Sequence, residues 1–113
     1  MSETDKILFV CSQNKWRSLK AEKRYEGSSP YQVRSAGTGQ GARVRVTDGH
    51  IGWADWIFVM EKKHLQIIIG KYGDRLRDKK VVCLHIPDQY HFMDIELIEL
   101  LKSRLSQHID VPE

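Results

Sequence analysis

The run Ile7-Leu8-Phe9-Val10-Cys11 is apolar at every position. A strand that shows one face to water alternates polar and apolar residues; a strand without alternation needs cover on both faces. This feature demands a sheet with a layer above and a layer below, and the rest of the chain must supply them.

The segments that follow have the right form. Residues 17–26 hold good helix formers (Leu19, Lys20, Ala21, Glu22, Lys23, Arg24) ahead of Gly27. Residues 31–35 predict a second strand after Pro30, and 37–45, with three glycines, a loop. Thr47 predicts the cap of a short helix over 48–54, and 55–60 a third strand. Residues 61–71 predict a helix with Leu65, Ile68 and Ile69 on one face, ended by Gly70 and Gly73. Residues 80–84 predict a fourth strand, and Asp94 the cap of a last helix striped by Leu97, Ile98, Leu101 and Leu105.

The order β-α-β-α-β-α-β-α places the chain in the α/β class. It predicts a single domain over residues 1–113, a three-layer α/β/α sandwich around a four-stranded parallel sheet with right-handed crossovers. Ligands in such sheets bind at the carboxyl ends of the strands, and the first such end is Val10-Cys11.

Composition narrows the function. Lys and Arg number 18 against 15 for Asp and Glu, a net charge of +3. That suits an anionic small substrate and does not single out nucleic acid, so no nucleic-acid partner is expected. No apolar run approaches the roughly 20 residues of a membrane helix, so no membrane partner is expected. The polar stretch Met1 to Lys6 has no signal-peptide character, and two cysteines, Cys11 and Cys83, make no disulfide framework. A reducing cytoplasm is the expected compartment. Neither the cysteines nor the five histidines (His50, His64, His85, His91, His108) have metal-ligand spacing, so no metal or other cofactor is expected. The histidines read mainly as surface or packing residues, and Trp53 and Trp56 as core or rim. Cys83 reads as a buried filler, with a resolving thiol as the functional alternative. The basic stretches 15–24 and 71–80 read as solvated faces, the first close enough to the strand end to favour anions.

The loop after the first strand is Cys11-Ser12-Gln13-Asn14-Lys15-Trp16-Arg17-Ser18. A loop entering a helix presents unpaired backbone N–H groups that can surround a phosphate-sized anion. The same field favours a thiolate on Cys11. Arg17 can hold two phosphate oxygens with a planar fork, and the Ser18 hydroxyl can donate to the thiolate. On spacing alone, a strand-end filler at Cys11 and a solvated Arg17 remain the competing reading. The glycine-rich loop and lysine of nucleotide-binding chains are absent.

The loop resembles the phosphate loop, Cys-x-x-Asn-x-x-Arg-Ser, of the low-molecular-weight protein tyrosine phosphatases. Ser35-Ala36-Gly37-Thr38-Gly39 resembles that family's Ser-Ala-Gly-Thr segment, residues 54–60 resemble its third strand, and Asp88-Gln89-Tyr90 stands where it carries Asp-Pro-Tyr. The likeness spans roughly residues 6–105 and leans toward a short bacterial branch with an Ile-Pro-Asp-x-Tyr segment. It implies a cysteine-dependent, metal-independent phosphomonoester hydrolase working through a phosphocysteine. Cys11 would be the nucleophile, Arg17 the phosphate-binding and transition-state residue, and Asp88 the general acid. Asn14 would hold the loop and Ser18 assist the thiolate. Ser12, Gln13, Lys15 and Trp16 would complete the loop around the phosphate, and Tyr90 would wall the leaving group.

The implied partner is a phosphotyrosine protein or a small phosphomonoester. Departures are the shortening between residues 38 and 50 and before the acid loop, Lys15 and Trp16 in place of smaller or apolar residues, and Pro87 before the acid where the family has proline after it. His85 competes with Asp88 for the acid role. A phosphocysteine carrier and a non-catalytic phosphate-binding module are the alternatives from other classes. An arsenate reductase of this fold would need two further cysteines, and Cys83 is one.

Overall fold

In a computed structural model, residues 5–14, 17–27, 31–87 and 95–109 are described. The elements run β1 (Asp5–Cys11), α1 (Arg17–Tyr25), β2 (Tyr31–Gly37), α2 (Asp48–Trp53), β3 (Trp56–Val59), α3 (Lys62–Tyr72), a 3-10 turn (Gly73–Leu76), β4 (Lys80–Cys83) and α4 (Ile95–Leu105). The sheet has the order β2-β1-β3-β4 and every pairing is parallel. The expected α/β/α sandwich is therefore present.

The topology follows from crossover handedness. The chain leaves β1 toward β2 in one direction, then moves back across β1 to β3 and on to β4. Right-handed connections in opposite directions put their helices on opposite faces. One core joins Ile7, Phe9, Phe58 and Met60 to Ala21 and Tyr25 of α1 and Leu97, Leu101 and Leu105 of α4. The other joins Leu8, Val10, Ile57 and Val59 to Ile51 of α2 and Ile68 and Tyr72 of α3. From Ile7 to Val10, successive β1 residues alternate between the two cores, which is why that stretch has no polar position. The strand order reverses between β1 and β3, so the carboxyl end of β1 opens at a switch point.

Some expectations need correction. The second strand runs on to Gly37, two residues past its expected end. The third helix continues through Gly70 to Tyr72, and Ile69 is 53 % exposed. Its buried stripe is His64, Ile68 and Tyr72; a histidine replaces the aliphatic residue that the pattern required. Cys83 packs at the rim of the second core, partly buried, with its Sγ 3.6 Å from His85 Nδ1. In α4 it is Leu100, rather than Ile98, that joins Leu97, Leu101 and Leu105 at the core. Thr47 caps α2 as expected: its Oγ1 accepts from His50 N at 3.3 Å, while Thr47 N donates to His50 Nδ1 at 3.1 Å. Asp94 lies outside the described residues. Among the described residues no helix is long and apolar enough to cross a membrane, and no group of metal-ligating side chains occurs.

Candidate active site

β1 delivers Cys11 to the sheet edge, buried, and the chain turns at once into α1. The turn requires a left-handed residue, and Asn14 supplies it with φ +56°. Asparagine tolerates that conformation better than most side chains. The Asn14 N–H points back to Cys11 Sγ at 3.2 Å. Asn14 Nδ2 donates to Ser18 Oγ at 2.8 Å, and Ser18 Oγ lies 2.9 Å from Cys11 Sγ. Because Ser18 accepts from the amide, its own proton is left for the sulfur, the Ala36 carbonyl being farther at 3.5 Å. The sulfur thus faces two donors beside the N-terminus of a helix.

The loop is held from outside by a second loop. Thr38 N donates to Cys11 O at 2.9 Å, Gly39 N to Ser12 O at 2.8 Å and Arg43 N to Gln13 O at 2.8 Å. Arg43 Nε adds a bond to Asn14 O at 3.2 Å. Four consecutive carbonyls, from Cys11 to Asn14, are thereby bonded to the second loop. The approach is close at Gly37, where a Cβ would lie 2.5 Å from Ser12 O and 2.7 Å from Ala42 Cβ. Glycine is required there for space.

Arg17 opens α1 and is only 3 % exposed. Its Nη1 donates to Glu61 Oε1 at 2.7 Å and to the Ile86 carbonyl at 2.9 Å. Glu61 stands two residues past the end of β3, so the carboxyl ends of β1 and β3 meet in this pair. Burial pushes the Glu61 carboxyl up, but the Arg17 hydrogen bond and the charges of Arg17 and Lys63 outweigh it and hold the group below its ordinary value. His64, fully buried, accepts from Glu61 N at Nδ1 (3.0 Å), so its Nε2 carries the proton and donates to Ser12 Oγ at 2.9 Å. That leaves the Ser12 hydroxyl proton for another acceptor.

The structure therefore gathers Cys11, Ser12, Asn14, Arg17 and Ser18. Gln13 contributes its carbonyl to the clamp while its side chain stays exposed. Lys15, Trp16, Asp88 and Tyr90 lie outside the described residues. His85 is exposed and meets Cys83.

No family model matches the sequence, and no curated protein matches it. Solved structures do. The low-molecular-weight protein tyrosine phosphatase SP-PTP of Streptococcus pyogenes superposes with a TM-score of 0.72 at 18 % identity, covering 94 % of each chain. The tyrosine phosphatase Wzb of Escherichia coli K30, solved with phosphate, gives 0.72 at 22 % identity over 92 % of this chain and 95 % of that one. The YwlE arginine phosphatase of Geobacillus stearothermophilus gives 0.63 at 18 % identity over 95 % and 99 %. This chain has the low-molecular-weight protein tyrosine phosphatase fold.

Within that phosphatase fold, sequence reasoning missed three residues at the site. Glu61 carried a signal, since an acid directly after a buried strand stands at a ligand-binding strand end. His64 and Arg43 carried little: one substitutes in an apolar stripe, and the other acts partly through its main chain.

Proposed function

We propose that the protein is a cysteine-dependent phosphomonoester hydrolase acting on phosphotyrosine-like aryl phosphates. The observation that carries this reading is the buried Cys11 sulfur between the Ser18 hydroxyl and the Asn14 N–H, at the helix N-terminus that Arg17 opens. The fold shared with tyrosine and arginine phosphatases supports it.

In the proposed reaction the Cys11 thiolate attacks phosphorus, and the bond from phosphorus to the leaving oxygen breaks. Asp88, protonated, gives its proton to that oxygen. Water then attacks the phosphocysteine, Asp88 takes a proton from it, and phosphate leaves as the thiolate is regenerated. The Arg17 guanidinium and the loop N–H groups meet the charge on the transferring phosphoryl group. Asn14 fixes the loop and Ser18 stabilises the thiolate between turnovers. The role of Asp88 rests on its place in the Ile86-Pro87-Asp88 segment, and the Ile86 carbonyl on Arg17 brings that segment's start to the site.

The test is steady-state hydrolysis of an aryl phosphate at about pH 5–7, between the ordinary carboxyl and thiol values, with phosphoarginine as the comparison substrate. Native protein should turn over repeatedly, Cys11→Ser should not, and Asp88→Asn should lose roughly 10²–10⁴-fold. One equivalent of phosphate trapped on Cys11 without turnover would instead identify a carrier. No labelling at all would leave a binding module.

A further inference from the structure

Beside the phosphate loop lies a groove of about 150 Å³ between the 38–46 loop and α3. Thr38, Arg45, Val46, Ile67, Lys71 and Tyr72 line it. Its volume is that of a cavity that accepts a benzene-sized guest, enough for one side chain. Gly37, at its inner end, is paired with Cys11 across β2 and β1. The groove therefore begins one strand spacing, about 4.8 Å, from the strand that carries the sulfur.

The lining is two-natured. Val46 and the Tyr72 ring make an apolar floor, closed by a hydrogen bond from Tyr72 Oη to Val46 O at 3.3 Å. Ile67 stands 47 % exposed on the rim. Arg45 and Lys71 bring two cations, and neither has an ion pair among the described residues. Lys71 lies over the Tyr72 ring at 5.7 Å. The nearby carboxylate, Asp48, is taken up by Arg75 at 3.7 Å. Two exposed cations over an apolar floor complement a side chain with an aliphatic stem and a carboxylate head.

We propose that this groove is a substrate subsite for a glutamate or aspartate flanking the phosphorylated residue of a protein. The inference rests on the phosphatase reading and makes the substrate a phosphorylated protein segment. A free small phosphomonoester fills only the anion loop. An extended peptide advances about 3.3–3.6 Å per residue, so an acid within about three positions of the phosphorylated side chain reaches the groove.

The test uses two phosphotyrosine peptides that differ only in glutamates or glutamines flanking the phosphorylated residue. Binding to Cys11→Ser is followed by fluorescence anisotropy, and aryl phosphate turnover by the native protein is measured in parallel. The glutamate peptide should bind about tenfold more tightly, a difference of ~1.4 kcal/mol, and the preference should shrink at high salt. The pair of substitutions Arg45→Gln and Lys71→Gln should abolish the preference and leave aryl phosphate turnover within about twofold, since that substrate does not reach the groove. Equal affinity for the two peptides, or a preference that survives both substitutions, overturns the subsite. Absence of aryl phosphate turnover alongside an intact, charge-dependent preference overturns the hydrolase reading and leaves the subsite standing.

Discussion

Arg17 Nη1 is shared between Glu61 Oε1 and the Ile86 carbonyl, and both acceptors come from the carboxyl-terminal side of the sheet. Two fixed acceptors hold the plane of a guanidinium, and a planar fork binds phosphate well only in one plane. Glu61 is thus a positioning residue in the proposed reaction. Glu61→Gln keeps the size and loses the charge; it should lower kcat/KM for an aryl phosphate by about tenfold to a hundredfold through misplacement of Arg17. Arg17→Lys should cost at least as much, because the fork itself is lost. The same pair sets an acid limit. Glu61 is held below its ordinary value in the folded chain, so the unfolded chain binds its proton more readily. The contribution of the pair is present above the ordinary carboxylate value and disappears as pH falls through the depressed one. Thermal melts between pH 7 and 3 should therefore show native protein and Glu61→Gln converging below about pH 4.3. A gap that stays constant through acid would refute that role.

At the scale of elements, the loop after β1 depends on its neighbour. Gly37→Ala would drive a methyl group to within 2.5 Å of Ser12 O, and backbone must shift to admit it. The expected result is loss of phosphate binding, read by titration of inorganic phosphate against the intrinsic fluorescence, with the far-ultraviolet circular dichroism of the sheet and helices retained. Helix α2 carries a separate prediction. Burial, then the Arg34 charge, hold the His50 imidazole below its ordinary value, and its Nδ1 accepts from Thr47 N. Protonation removes that acceptor. The cap contributes above the ordinary histidine value, near 6.5, and is lost as pH falls through the depressed one. His50→Gln should therefore weaken the pH dependence of Tm in that window, and an unchanged dependence would show that the cap does not titrate there.

The same scale explains what could be read in advance. The loop's side-chain set was legible because a thiol, an arginine and a serine stand at fixed spacing, while the roles expected of them came from the family resemblance. The clamp around it was not, because Thr38, Gly39 and Arg43 act mainly through backbone N–H groups, which every residue but proline carries. In α3 the expected stripe of Leu65, Ile68 and Ile69 passed over His64, although tertiary packing uses the imidazole as a buried hydrogen-bonding member of the stripe. The cover of helices on both faces, by contrast, was legible in the apolar run Ile7–Cys11; the order β2-β1-β3-β4 was not, because such a run does not say which strands flank it.

At the scale of the molecule, the two cores of the described residues lie on opposite faces of the sheet. Leu101 of α4 is fully buried in one, and Ile68 of α3 is 1 % exposed in the other. Leu101→Ala should cost about 2–5 kcal/mol and Ile68→Val about 0.5–1.5 kcal/mol. The sites lie on opposite faces and share no side-chain cluster, so the double variant should equal the sum of the singles within about 0.5 kcal/mol. Additivity here has a further meaning. β1 contributes Ile7 and Phe9 to one core and Leu8 and Val10 to the other, so neither layer can come apart without exposing the other side of the same strand. Urea unfolding of native protein and of each variant should remain one transition, coincident by tryptophan fluorescence and far-ultraviolet circular dichroism. Trp53 and Trp56 are packed against opposite cores, so fluorescence reports on both layers. Separated midpoints would mean that the layers unfold independently, and that the anion loop could survive in a half-folded chain. A single midpoint makes the candidate site and the whole sheet one cooperative unit, in which a cavity behind α4 lowers the population of the intact loop after β1 as surely as a change within it.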